Sequence, residues 1–137
     1  MDILSFDLIS ETIKKEIKHK CGLNLSQTRL LLYFAHNDNK EQKMGDLAKK
    51  LKISLSTLSR QLQQKKTLSL ITITRSESDS SKTVHLNEHG IKKIAELRST
   101  VKNIEEFFLT GFSENEIDTF NQVFTKLIQK TKGSKWF

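Results

Sequence analysis

Between Ser54 and Gln64 the chain sets short hydroxyls, amides and a guanidinium at helical spacing. At about 100° per residue, Ser56, Thr57, Arg60, Gln63 and Gln64 share one face of a helix, and Leu55, Leu58 and Leu62 share the opposite one. Hydroxyls and amides bond phosphate oxygens or base edges, arginine favours guanine and glutamine favours adenine. A phosphate backbone would repel an acidic side chain, and this face has none. Lys49, Lys50 and Lys52 precede the face, Lys65 and Lys66 follow it, and Arg75 and Lys82 stand further along. Such cations suit phosphate contacts. The expected chemistry is recognition of duplex DNA. No glycine-rich phosphate loop, nucleophile motif or paired-carboxylate signature is present, so no enzyme and no cofactor are expected.

The charge distribution supports a polyanionic partner. The chain of 137 residues has a formal charge of +7. Residues 1–39 are neutral overall, residues 86–137 carry +1, and residues 40–85 carry +6 from ten basic and four acidic side chains. A lysine-rich face that merely meets water is the competing reading, and charge alone would favour it. Concentration of the excess around the candidate helix argues for a nucleic-acid contact.

These groups need a frame to hold them. A 36% hydrophobic and 28% charged composition is that of a globular domain. The length suits a single domain over 1–137, with a core at about 23–100 flanked by terminal helices at 1–22 and 101–137. No apolar run approaches the ~18 residues of a membrane span. Asp2 stands where a signal peptide would be basic, and the lone Cys21 fits a reducing compartment. A cytoplasmic location is expected. Ile3, Phe6, Ile9, Ile13 and Ile17 trace a first amphipathic helix, with Gly22 as its left-handed cap. Ser26 is the expected N-cap of a second helix, with Leu25 stapled to Leu30. Short helices follow at Met44–Leu51 and Ser54–Lys66, with Ser54 capping the latter. Alternating β-branched residues predict strands at 71–74 and 83–86 around the polar tip Arg75–Lys82. Asn87 caps a long helix, Gly111 interrupts it, and Ser113 with Glu116 forms a capping box for the last. The fold class is mainly α: a winged helix-turn-helix with a small hairpin wing and a dimerisation region built from the terminal helices.

The ordered series Leu25-Ser-Gln-Thr-Arg-Leu-Leu-Leu-Tyr-Phe, Met44-Gly-Asp-Leu-Ala-Lys-Lys-Leu, Ser56-Thr-Leu-Ser-Arg and Leu86-Asn-Glu-His-Gly90 resembles the multiple-antibiotic-resistance-regulator (MarR) family over about residues 23–100. The resemblance implies a bacterial homodimeric transcription regulator, often a repressor, whose hold on a palindromic operator responds to a small ligand, metal or oxidant. Two positions depart from the family pattern. The wing tip Glu77-Ser-Asp-Ser-Ser-Lys82 lacks the family's arginine, and Thr67 replaces the glycine after the recognition helix. Threonine is costly in a left-handed conformation, so a local change in that turn is expected.

The first helix offers Ile3, Phe6, Ile9 and Ile13 for dimerisation, and the last offers Ile117, Phe120, Phe124, Leu127 and Ile128. Leu30, Leu31, Phe34, Leu47, Leu51, Leu58 and Leu62 supply a separate central core. Cys21 is read as a small core thiol, with the oxidant sensing known in the family as the alternative. His19, Cys21, His36, His85 and His89 have no metal-site spacing, so no metal is expected. The phenylalanines and Trp136-Phe137 are read as core or dimer seam before effector pocket. An alternative function is a winged-helix interaction module acting through a partner regulator, which the altered wing and Lys135-Trp136-Phe137 keep open.

Overall fold

The computed structural model describes residues 1–79 and 81–132. Two compact units divide the chain, Met1–Lys102 and Asn103–Phe137.

In the first unit, a 3-10 turn at Ile3–Ser5 leads into α1 (Phe6–Cys21), which ends on Gly22 at φ 69°. Glycine takes this left-handed conformation without a Cβ penalty, and its N–H closes on the Lys18 carbonyl oxygen. The next helix, α2 (Leu25–His36), is capped by Asn24 rather than Ser26. Asn24 Oδ1 accepts the Gln27 N–H at 2.9 Å, while Gln27 Oε1 accepts the Asn24 N–H at 2.8 Å. This reciprocal pair satisfies two orphan donors, whereas a Ser26 cap would satisfy one. Leu25 therefore belongs to the first turn, and Ser26 Oγ donates to the Asn24 side chain.

After α2, Asp38 and Asn39 take left-handed conformations, and β1 (Gln42–Lys43) enters α3 (Met44–Leu51). Lys52, also left-handed at φ 59°, turns the chain into α4 (Leu55–Leu62). A break and the short α5 (Lys65–Leu68) follow, then β2 (Ile71–Arg75) and β3 (Lys82–Leu86). The sheet order is β1-β3-β2, all antiparallel, with Ile73 opposite Val84 and Arg75 opposite Lys82. The β1 strand was not expected from sequence. Its two residues carry no alternation, and it pairs because β3 offers a free edge.

The Asn39 amide fixes the inner end of the wing. It accepts the Leu86 N–H at 2.7 Å and donates to the Leu86 carbonyl oxygen at 3.0 Å, as a strand partner would. Asn87 caps α6 (Glu88–Leu109) through the Gly90 N–H, and its Nδ2 donates to the Ser69 and Ile71 carbonyl oxygens. The core contains Leu23, Leu30, Leu31, Phe34, Leu47, Leu58, Leu62, Val84, Leu86 and Leu97. Leu51, expected among them, is half-buried.

The second unit holds the last turns of α6, a bend with Gly111 at φ 90°, and α7 (Glu114–Lys132). Ser113 and Glu116 form the expected capping box, with bonds of 3.0 and 3.2 Å. No residue of α7 is buried, and the Phe120 and Phe124 rings stack on each other at 5.7 Å. Trp136 and Phe137 lie outside the described residues.

Gly90 is required for close approach: a Cβ there would collide with the Leu70 backbone oxygen. Gly90→Ala should push α6 off the start of β2 and destabilise the first unit by ~1–3 kcal/mol. Denaturant titration measures this, and an unchanged midpoint would contradict the packing.

Candidate nucleic-acid interface

Three constraints orient α4. Its N-terminus is capped by Ser54, whose Oγ accepts the Thr57 N–H at 3.1 Å. Its inner face is pinned by Leu58 and Leu62, both fully buried. Beyond its C-terminus the following helix α5 is held by a polar contact from α2: Gln27 Nε2 donates to Thr67 Oγ1 at 3.2 Å, with both residues buried. Thr67 therefore sits in the helical α5 without a left-handed backbone, as expected for a β-branched residue where the family has glycine.

This arrangement corrects the expected helix Ser54–Lys66. Gln63 is the C-cap of α4, and Gln64 is extended at ψ 133° as the N-cap of α5. The shared face thus comprises Ser56, Thr57 and Arg60, while Gln63 and Gln64 sit exposed at the break. Asn24 Nδ2 approaches Gln64 Oε1 at 3.4 Å, so that amide is engaged with the start of α2. Lys65 and Lys66 belong to α5 rather than to the far end of α4. Leu55, assigned to the inner face, is 54% exposed because it stands one turn beyond the covered part of the helix.

The hydroxyls at the start of α4 bond to one another. Ser54 Oγ lies 3.1 Å from Ser56 Oγ and donates to Thr57 Oγ1 at 2.9 Å, and Arg60 Nη2 donates to Thr57 Oγ1 at 3.3 Å. Arg60 is thereby aimed along the exposed face. Lys49 and Lys50 lie in the last turn of α3, and Lys52 projects from the turn between the helices. All three are exposed.

Among the described residues, ion pairs join Lys14 to Glu11, Lys92 to Glu88 and Lys93 to Glu96. No lysine or arginine between positions 40 and 85 takes part in one. At the base of the wing Arg75 and Lys82 are register partners, and like charges directly opposite one another are unfavourable without a counter-anion. The wing tip is different. Asp79 accepts the Ser81 hydroxyl at 2.7 Å and the Ser81 N–H at 3.0 Å, which hold its carboxyl well below the usual range, at about 2. The position that lacks the family's arginine is thus closed by an aspartate–serine contact.

Among the described residues no group of three or more His, Cys, Asp or Glu side chains could hold a metal ion. His85 is half-buried on β3 with Nδ1 3.5 Å from Glu41 Oε1, while His19, His36 and His89 are exposed. Cys21 is buried, and its Sγ donates to Thr100 Oγ1 at 3.3 Å. No described helix is long and apolar enough to cross a membrane.

Two short helices joined by a tight turn and followed by an antiparallel hairpin define a winged helix-turn-helix. The MarR family's sequence profile matches residues 22–80, from the end of α1 to the wing tip. Solved structures with the same fold include MarR (TM-score 0.77, 16% identity, 94% of this chain and 96% of that one). An S. aureus MepR–DNA complex aligns with TM-score 0.74 and 22% identity, over 96% of each chain. The heme sensor protein PefR from Streptococcus agalactiae, solved with heme, aligns with TM-score 0.71 and 20% identity, over 93% and 88%. No curated protein sequence matches the chain. The chain carries a winged helix-turn-helix whose residues 22–80 match the MarR family's profile.

The Asp79 contact has a checkable pH signature. A carboxyl whose folded pKa lies below its ordinary 3.8 supports the local structure above that value and loses its hold as pH falls through about 2. The Ser81 amide resonance should therefore titrate with a midpoint near 2, and Asp79→Asn should abolish that titration. A midpoint at 3.8 or higher would show that the contact does not form in solution.

Proposed function

We propose that this protein is a sequence-specific, duplex-DNA-binding transcription regulator of the cytoplasm. It acts as a homodimeric repressor on a palindromic operator, and its affinity responds to an effector. The observation that carries the reading is the unneutralised cationic surface around α4: Lys49, Lys50, Lys52, Arg60, Arg75 and Lys82 are exposed and unpaired among the described residues. A surface built to meet water gains from interspersed acids, whereas a polyanion supplies the missing counter-charge itself. In this reading Ser56, Thr57 and Arg60 face the major groove. Gln63 and Gln64 lie at its edge, Ser54 and the lysines contact phosphates, and Arg75 with Lys82 straddle the backbone beside the wing. The likeness to MepR, solved as a DNA complex, and to the heme sensor PefR supports operator binding and effector response.

Dimerisation rests on uncovered apolar surface. Ile3, Phe6 and Ile9 are exposed on the first unit, as are Phe120, Phe124, Leu127 and Ile128 on the second, while Ile13 and Ile117 are half-buried. Burial against a second copy yields ~25 cal/mol per Å² before association costs. Pairing two reading heads multiplies affinity for a two-fold site. Cys21, buried against Thr100, acts here as a structural thiol.

Affinity for duplex DNA should fall steeply between low and high salt as condensed counterions are released. Arg60→Ala should cost ~1–3 kcal/mol on a specific site and relax the base preference there, whereas Lys50→Ala should weaken specific and random duplexes alike. Fluorescence anisotropy reads both effects. Absence of binding at low salt, or an unchanged affinity in a folded Arg60→Ala protein, would refute the assignment. Phe124→Glu should give monomers with weak operator binding. A wild-type chain that sediments as a monomer at micromolar concentration while binding a full palindrome tightly would contradict the dimer.

A further inference from the structure

We infer that Thr57 is a positioning residue: its hydroxyl holds the Arg60 guanidinium in place for base reading instead of meeting DNA itself. The inference rests on the placement of the Ser56, Thr57 and Arg60 face in the major groove under the proposed function. It gives one member of that face a separate role. Thr57 and Arg60 stand three residues apart on α4, so their side chains are neighbours on the helix surface. Long helical side chains lean toward the N-terminus over the preceding turn. Arg60 does so, and its Nη2 donates to Thr57 Oγ1 at 3.3 Å. The guanidinium is thereby carried back to the N-terminal turn of α4, the end of a groove-entering helix that comes nearest the base edges.

Proton counting separates the two roles. Ser54 Oγ has a single proton, which it gives to Thr57 Oγ1 at 2.9 Å, and it accepts the Thr57 N–H at 3.1 Å. Ser56 Oγ, 3.1 Å from Ser54 Oγ, is then the donor of that pair. Thr57 Oγ1 accepts from both Ser54 and Arg60, so its lone pairs are filled and none is left for a base amino group. Thr57 is also half-buried, whereas Ser56 and Arg60 are exposed. Arg60 takes part in no ion pair among the described residues and spends one N–H of its fork on Thr57. The rest of the fork is free for guanine O6 and N7. A side chain held before DNA arrives loses less rotamer freedom on binding.

The test uses the full chain and the duplex it enriches from a random DNA pool. Thr57→Val keeps the β-branched shape and replaces only the hydroxyl. The ratio of its affinities for enriched and random duplexes should fall about two- to tenfold, the cost of immobilising one long side chain that was free. Thr57→Ser, which returns the hydroxyl, should recover most of that loss. In an Arg60→Ala background Thr57→Val should have no further effect, because nothing is left to position. Nitrogen relaxation in the DNA-free protein should show the Arg60 Nε–Hε ordered in the wild type and mobile in Thr57→Val. Equal losses from Thr57→Val with and without Arg60 would reveal a direct contact and overturn the inference. An Arg60 guanidinium equally mobile in the wild type and in Thr57→Val would overturn it too. A wild type that enriches no duplex, and is indifferent to salt, would instead defeat the proposed function, while the relaxation would still report whether Thr57 holds the guanidinium.

Discussion

The buried hydrogen bond from Gln27 to Thr67 ties the segment that follows the exposed polar helix to the start of α2. Gln27 Oε1 accepts the Asn24 N–H to close the cap of α2, and its Nε2 donates to the Thr67 hydroxyl 40 positions along the chain. Both side chains are buried, where a polar group left unpaired costs ~1–3 kcal/mol. The bond therefore holds Thr67 in α5, the short helix that follows the break after Leu62. With Ser54 fixing the other end and Leu58 and Leu62 buried between, α4 has little freedom to roll. Its outward face is then decided by arithmetic: Ser56 and Arg60, one turn apart, point away from the core.

A wing held by side-chain amides complements this rigid helix. Asn39 pairs with both backbone groups of Leu86, and Asn87 bridges the first turn of α6 to the carbonyl oxygens that flank Leu70. The hairpin thus leaves the core at a defined angle, with Arg75 and Lys82 opposed at its base and an acidic tip closed on Ser81. In electrostatic terms the cations form an arc from the end of α3, through α4, to the base of the wing, and the tip beyond Lys82 carries the opposite sign. A polyanion would follow the arc and be turned away by the tip.

Much of this frame was legible in the sequence because the decisive signals were local. Gly22, Ser54, Asn87 and the Ser113–Glu116 box each act within a few residues, and the β-branched alternation at 71–74 and 83–86 marks the hairpin directly. Features that depend on distant partners were not legible. Thr67 beyond the break is held by Gln27, 40 positions away, and the strand Gln42–Lys43 pairs with the free edge of β3. The cap of α2 was within reach, since Asn24-x-x-Gln27 is a capping-box spacing, but Ser26 is an equally good cap type and competed with it. Leu55 has the periodicity of a core residue, and only the three-dimensional limit of the core shows that it overhangs. The cationic arc was visible as a charge excess, and the lack of acidic partners became visible only in three dimensions.

The central claim is that a surface centred on α4 reads duplex DNA as one half of a two-fold pair. Selection of duplexes from a random pool by the purified full chain, followed by sequencing, tests it most directly. The account predicts enrichment of one dyad-symmetric motif whose half-sites lie about one helical turn, ~10 base pairs, apart. A bound pool no different from the input would contradict it.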